Sequence, residues 1–178
     1  MIGRRRRKDE PRGPTTSTQF RCAWCGELHD GPPRSYVVAE PAGWEITRDP
    51  ASRCWGEIND EQAILHGPDG EEGWFLRGNV DLPVEDGDGF NFTVWVSLSR
   101  ENFERSGDLW LDPKRVNEPP YFGWLMVELP GYPSTLRLKT NVHSRPPGQR
   151  PFVELEPTDH PLAVEQRNGI TIARIEEL

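Results

Sequence analysis

"GWFLRGNVDLPVEDGDGFNFTVWVSLS", residues 73–99, decides how the chain folds. Two apolar runs, 73–84 and 90–99, flank "EDGDG" (85–89), whose Gly and Asp residues suit a tight connection with positive backbone dihedrals. In the second run Phe90, Phe92, Val94, Val96 and Leu98 alternate with Asn91, Thr93, Trp95, Ser97 and Ser99. A period of two marks a strand with one face buried. The pair reads as two adjacent strands, and the alternation assigns Trp95 to the less apolar face.

Further strands follow. "YFGWLMVEL" (121–129) and "TLRLKTNVH" (135–143) are joined through "PGYPS" (130–134), and "RPFVELE" (150–156) adds another. Over 135–143, Leu136, Leu138, Thr140 and Val142 share one face, with Arg137, Lys139, Asn141 and His143 on the other. Ser99 is a good N-cap and Glu101 sits in the first turn after it, so "SRENFERS" (99–106) reads as a short helix. "TDHPLAVEQRNG" (158–169) carries Thr158 or Asp159 as cap, Pro161 in the first turn and Gly169 as terminator, for about two turns of helix. His160 is a candidate helper in that cap. "ITIARIEEL" (170–178) reads as a short terminal helix. The class is α+β: a mainly antiparallel sheet with a few short helices at its margins.

A chain of 178 residues is the size of one domain. Eighteen Pro and seventeen Gly favour short strands and ordered loops over long helices. Charge divides unevenly. Residues 1–14 hold six basic and two acidic groups, a net of +4, which leaves −12 of the total −8 for the rest. Such a body repels nucleic acid and anionic lipid, so nucleic acid is an expected contact only for the basic run. Residues 1–18 read as a disordered basic tail and 19–178 as a single domain. No apolar stretch has the length of a membrane span or the form of a signal peptide. Three cysteines are an odd number, which argues against a disulfide framework and for a reducing, cytoplasmic setting.

Two of those cysteines stand in "CAWCGELH" (22–29). Cys22 and Cys25 on a tight turn present two sulfurs to one ion, and His29 adds a nitrogen at Cys-x2-Cys-x3-His spacing. A structural zinc needs four ligands. The fourth has to come from elsewhere: Cys54, Asp60, His66, His143 or His160. The alternatives are two ordinary thiols or a redox pair; a redox pair wants a helix start, and the run leads instead into Gly31, Pro32 and Pro33. Other motifs fail. "DGDGFNF" has two aspartates where a phosphate loop cannot tolerate them, and as a calcium loop its first and twelfth positions are Val84 and Trp95. "GYPST" lacks the nucleophile-elbow frame.

The opening Cys-x-x-Cys-Gly-x-x-His, the "FLRG" strand, "VWVSLS", "YFGWL", "LPGYPSTLRLKTNVHSRPPGQRP" and "LEPTDHPLAVEQRNGI" resemble the bacterial domain-of-unknown-function family DUF2199 over roughly residues 20–178. The resemblance implies a small soluble bacterial protein and carries no activity with it. It also implies a further Cys ahead of the "FLRG" strand. Here "NDEQAIL" (59–65) has Asp60 but no Cys, so if that Cys is the family's fourth ligand, the zinc site in this chain is damaged or recruits Cys54.

The surface singled out is the wet flank of 135–143. Arg137, Lys139, Asn141 and His143 recur at spacing two, Arg145 and Arg150 follow, and Trp95, Tyr121 and Trp124 are candidate walls of a groove. A cationic cluster in an acidic body can receive a carboxylate or phosphate. The plainer reading is that these cations pair with Glu154 and Glu156. The functional expectation is a binding or protein-interaction module using Arg137, Lys139, His143, Arg150, Trp95 and Trp124. The alternative is a small enzyme with His143 as acid or base and Arg137 and Arg150 holding an anionic substrate.

Overall fold

The computed structural model describes residues 19–21, 27–31, 33–85, 87 and 89–178. The chain divides into two compact units, Met1–Pro32 and Pro33–Leu178. The basic run 1–18 lies outside the described residues. The first unit contains an antiparallel pair, β1 (Gln19–Arg21) with β2 (Leu28–Asp30).

The second unit is built on the hairpin of residues 73–99. Strands β6 (Glu72–Leu82) and β7 (Phe90–Leu98) pair antiparallel from Trp74↔Leu98 to Leu82↔Phe90. Gly89 at the connection has φ 83°, the positive dihedral that the turn chemistry demands. Around the hairpin lie β3 (Ser35–Val37), β4 (Trp55–Ile58), β5 (Gln62–His66), β8 (Tyr121–Leu125), β9 (Lys139–His143) and β10 (Phe152–Leu155). The order is β3-β7-β8-β9-β10-β6-β5-β4, and β6 also pairs with β7, so β6, β7, β8, β9 and β10 close on themselves as a five-stranded barrel. Pairing is antiparallel except for β10 with β6 and β3 with β7. The fold is therefore α+β, with short helices α1 (Arg100–Asp108), α2 (Pro161–Asn168) and α3 (Ile172–Glu177).

Alternation builds the barrel interior. Val80, Phe92, Val94, Val96, Leu125, Val142 and Val153 are all essentially buried, each worth about 1.5–3 kcal/mol of transfer from water. Two glycines let the wall close. A Cβ on Gly78 would meet Val153 Cγ2 at 2.6 Å and the Pro151 carbonyl oxygen at 3.0 Å, where β10 docks on β6. A Cβ on Gly123 would meet Val96 Cγ1 at 2.5 Å and the Ser97 carbonyl oxygen at 2.6 Å, where β8 crosses β7. Any side chain at either position forces the strands apart.

Three expectations are corrected. Trp95, assigned to the less apolar face and offered as a groove wall, is fully buried. The outer side of the β6–β7 hairpin is covered by residues 38–39: the Trp95 indole N–H donates to the Ala39 carbonyl at 3.2 Å. Arg77 stacks its guanidinium 4.6 Å from the Trp95 ring centroid and donates to the carbonyls of Val38, Ala39 and Asp60. Second, the strand expected over 135–143 starts at Lys139. Thr135–Leu138 form a turn in which Arg137 has φ 63°, so the period of two holds for 139–143 only. Third, α2 is capped by His160, whose ring Nδ1 accepts from the Leu162 N–H at 3.2 Å, and not by Thr158 or Asp159. Ser99 caps α1, Thr171 caps α3 and Gly169 follows α2 with φ 84°. Among the described residues no helix is long and apolar enough to cross a membrane.

Candidate functional site: a cleft beside the 135–138 turn

The site begins with a buried threonine. Thr135 is inaccessible to solvent, and its hydroxyl donates to the Val127 carbonyl at 2.7 Å while accepting from the Leu129 N–H at 3.0 Å. Glu128 holds the same turn from outside, accepting from the Ser134 hydroxyl and the Thr135 N–H. The chain is thus fixed on both sides before it reaches Arg137. The Arg137 N–H donates to the Leu125 carbonyl at 2.7 Å, and the Leu125 N–H donates to the Leu138 carbonyl at 2.8 Å. These bonds impose the left-handed backbone on a non-glycine residue, which costs on the order of 1–2 kcal/mol.

Held this way, Arg137 borders a cleft of about 460 Å³ whose other walls are Phe75, Ser97, Trp124 and Met126. The cross-strand register explains the grouping: Ser97 pairs with Phe75 on one side and with Trp124 on the other. Trp124 is 40% exposed, and Phe122, two residues before it on the same face of β8, is 50% exposed. Their rings meet edge to face at 5.3 Å. Arg137 is exposed, and it has no carboxylate partner among the described residues.

The rest of the predicted cationic cluster is neutralised. Lys139 pairs with Glu156 at 3.4 Å and His143 Nε2 with Glu154 at 2.8 Å. Arg145 pairs with Asp81, and Arg150 grips Glu61 through Nε and a terminal nitrogen, both at 2.9 Å. Lys139, Asn141 and His143 do share one flank, as the alternation implies, but Arg137 stands apart in its turn beside the cleft and Arg150 is held by Glu61, just before β5. The trio of His143, Arg137 and Arg150 is therefore not assembled as one constellation. Burial lowers the pKa of Arg77 and Arg115 from the usual arginine value. Both are structural: Arg115 donates to the Trp110 carbonyl and lies over its ring.

Tyr121 is buried, so of the aromatic candidates only Trp124 faces solvent. Phe75, Ser97, Phe122 and Met126 were not singled out by the sequence. Phe122 had a signal, the alternation of "YFGWL"; Phe75, Ser97 and Met126 come together only through strand register.

Cys22 and Cys25 lie outside the described residues, as does the side chain of His29. Cys54 is a free, half-buried cysteine whose backbone N–H donates to the Ser52 hydroxyl at 3.0 Å. His66 stacks on Trp55 at 3.8 Å, with Nδ1 3.3 Å from Glu72. Among the described residues no group of three His, Cys, Asp or Glu side chains is arranged to hold a metal ion.

The profile of the family DUF2199, described as "Uncharacterized protein conserved in bacteria", matches residues 21–170. No curated protein and no solved structure matches the chain.

Proposed function

We propose, for a chain that belongs to the DUF2199 family, a non-catalytic binding module that recognises another protein through the Trp124–Arg137 cleft. One observation carries this reading. Among the cations predicted for this flank, Arg137 alone has no acidic partner among the described residues, and a locked turn holds it at the rim of an apolar cleft. A cleft of this size, mostly apolar with few polar groups, has the ordinary character of a recognition site. The exposed Phe122–Trp124 pair extends the contact surface beyond it, and aromatic and arginine side chains are the usual anchors of interfaces. His143, hydrogen-bonded to Glu154 on the outer face, has no part in recognition in this reading.

A photo-crosslinking residue at Phe122 tests it in cells. The expected result is a discrete covalent protein adduct that disappears when Arg137→Gln is added. Absence of any adduct, or one indifferent to Arg137→Gln, removes the reading. A structural zinc held by Cys22, Cys25 and His29 stays part of the proposal on its spacing alone. Elemental analysis of the purified protein beside Cys22→Ser checks it: near-stoichiometric zinc lost in the variant supports the site, and no zinc in either sample ends it.

A further inference from the structure

We infer that the occupant of the cleft is the C-terminal residue of the partner chain. Its apolar side chain lies against Phe75, Trp124 and Met126, and its terminal carboxylate is held by Arg137. This rests on the reading of the cleft as the binding surface and adds the chemistry of what enters it.

Charge sets the first limit. The cleft offers one free guanidinium, a planar fork that matches a carboxylate bidentately. The surrounding body is acidic, and Glu154 and Glu156 on the neighbouring flank already occupy His143 and Lys139. A polyphosphate or nucleic acid therefore meets an acidic body in which Lys139, opposite Trp124, is already paired and Arg137 has no acidic partner among the described residues. A monoanion fits.

Shape sets the second. Arg137 borders an apolar floor directly, so the anion and an apolar group must arrive close together. A chain's last residue carries both, with its carboxylate and its side chain on the same carbon. An aspartate or glutamate within a chain has its carboxylate on the side chain and needs a separate apolar neighbour. Capture of terminal carboxylates is a recurrent mode of peptide recognition.

Length sets the third. Phe122 continues the apolar track about 7 Å beyond Trp124 along β8. A free small acid leaves that exposed ring uncovered, whereas a penultimate residue covers it. Because the 135–138 turn is fixed in advance by Thr135 and Glu128, little ordering of the receptor opposes binding.

The test is an NMR titration of the ¹⁵N-labelled full chain, following the Trp124 indole and the Arg137 amide. The probes are pentapeptides acetyl-Gly-Ser-Gly-Phe-X with X as Leu, Ile, Phe or Met, each as free acid and as amide. Acetyl-Gly-Phe-Leu-Glu-Gly-amide presents an internal carboxylate, and acetyl-leucine is a small acid. At least one free acid is expected to shift both signals and to bind tenfold or more tighter than its amide. Arg137→Gln is expected to reduce that acid to the level of the amide. Equal binding of acid and amide overturns the inference, as does an internal glutamate peptide matching the free acid. So does acetyl-leucine binding as tightly as the pentapeptides, or no shift with any probe. The Phe122 crosslink separates the two claims: an Arg137-dependent adduct beside a failed peptide series removes the terminal-carboxylate inference alone.

Discussion

Replacing Arg137 by glycine should stabilise the protein while removing the cation on which binding is proposed to rest. The left-handed backbone at φ 63° costs an L-residue roughly 1–2 kcal/mol, and glycine has no such cost. Glycine's greater freedom in the unfolded chain takes back about 0.5–1 kcal/mol. The side chain removed is exposed and makes no ion pair among the described residues, so little native interaction is lost with it. The balance is a gain centred on about 0.75 kcal/mol, or about 1.5–3 °C in Tm for a domain of this size. Urea denaturation of wild type, Arg137→Gly and Arg137→Ala measures it. The glycine variant should have a raised midpoint at unchanged slope. The alanine variant keeps the backbone cost and should stay within about 0.5 kcal/mol of wild type. A loss above 1 kcal/mol for Arg137→Gly would mean that the guanidinium has a structural partner, and the argument for a spare cation would fail.

Other substitutions probe the frame around it. Gly123→Ala places a methyl 2.6 Å from the Ser97 carbonyl oxygen, and that backbone cannot step aside without opening the β7–β8 pairing; about 2–3 kcal/mol should be lost in thermal or chemical denaturation. A variant within 0.5 kcal/mol of wild type would put the barrel closure in the wrong place. Arg150→Gln breaks a two-point grip on a partly buried Glu61 and should cost about 1–2 kcal/mol, with Glu61→Gln recovering part of it in a double-mutant cycle. Additive losses would show that the pair is uncoupled. Burial, then the Glu165 carboxylate that accepts from its hydroxyl, holds the Tyr132 phenol well above the ordinary tyrosine pKa. A raised folded-state pKa gives stability that is complete below the unfolded value near pH 10 and fades as pH climbs further. Tyr132→Phe should therefore flatten the alkaline limb of a stability-against-pH curve, and parallel limbs would contradict that.

The hairpin of 73–99 was legible because its alternation is strict and its turn chemistry strong. The helix at Ser99 and the stop at Gly169 followed from capping rules that act over a few residues. Trp95 escaped because its cover, residues 38–39, lies more than fifty positions away in the chain; alternation reports which residues share a face, not whether a second layer lies on it. Arg137 escaped for a related reason. "TLRLK" has the period of a strand, but the hydroxyl of Thr135 reaching Val127 and Leu129 bends the chain into a turn first, a tertiary bond overriding a local pattern. The closed barrel was hidden as well, since closure depends on Gly78 and Gly123 admitting neighbouring strands at distances no local pattern records. The same distance in sequence kept the cleft out of sight: Phe75, Ser97 and Trp124 are joined only by register.

A crystal structure with the tightest-binding free-acid pentapeptide addresses the binding reading most directly. The account predicts the terminal carboxylate within hydrogen-bonding distance of the Arg137 guanidinium, the last side chain between Trp124 and Met126, and the preceding residue over Phe122. A peptide lying elsewhere on the surface, or Arg137 turned away to an acid of its own chain while the peptide is bound, would contradict it.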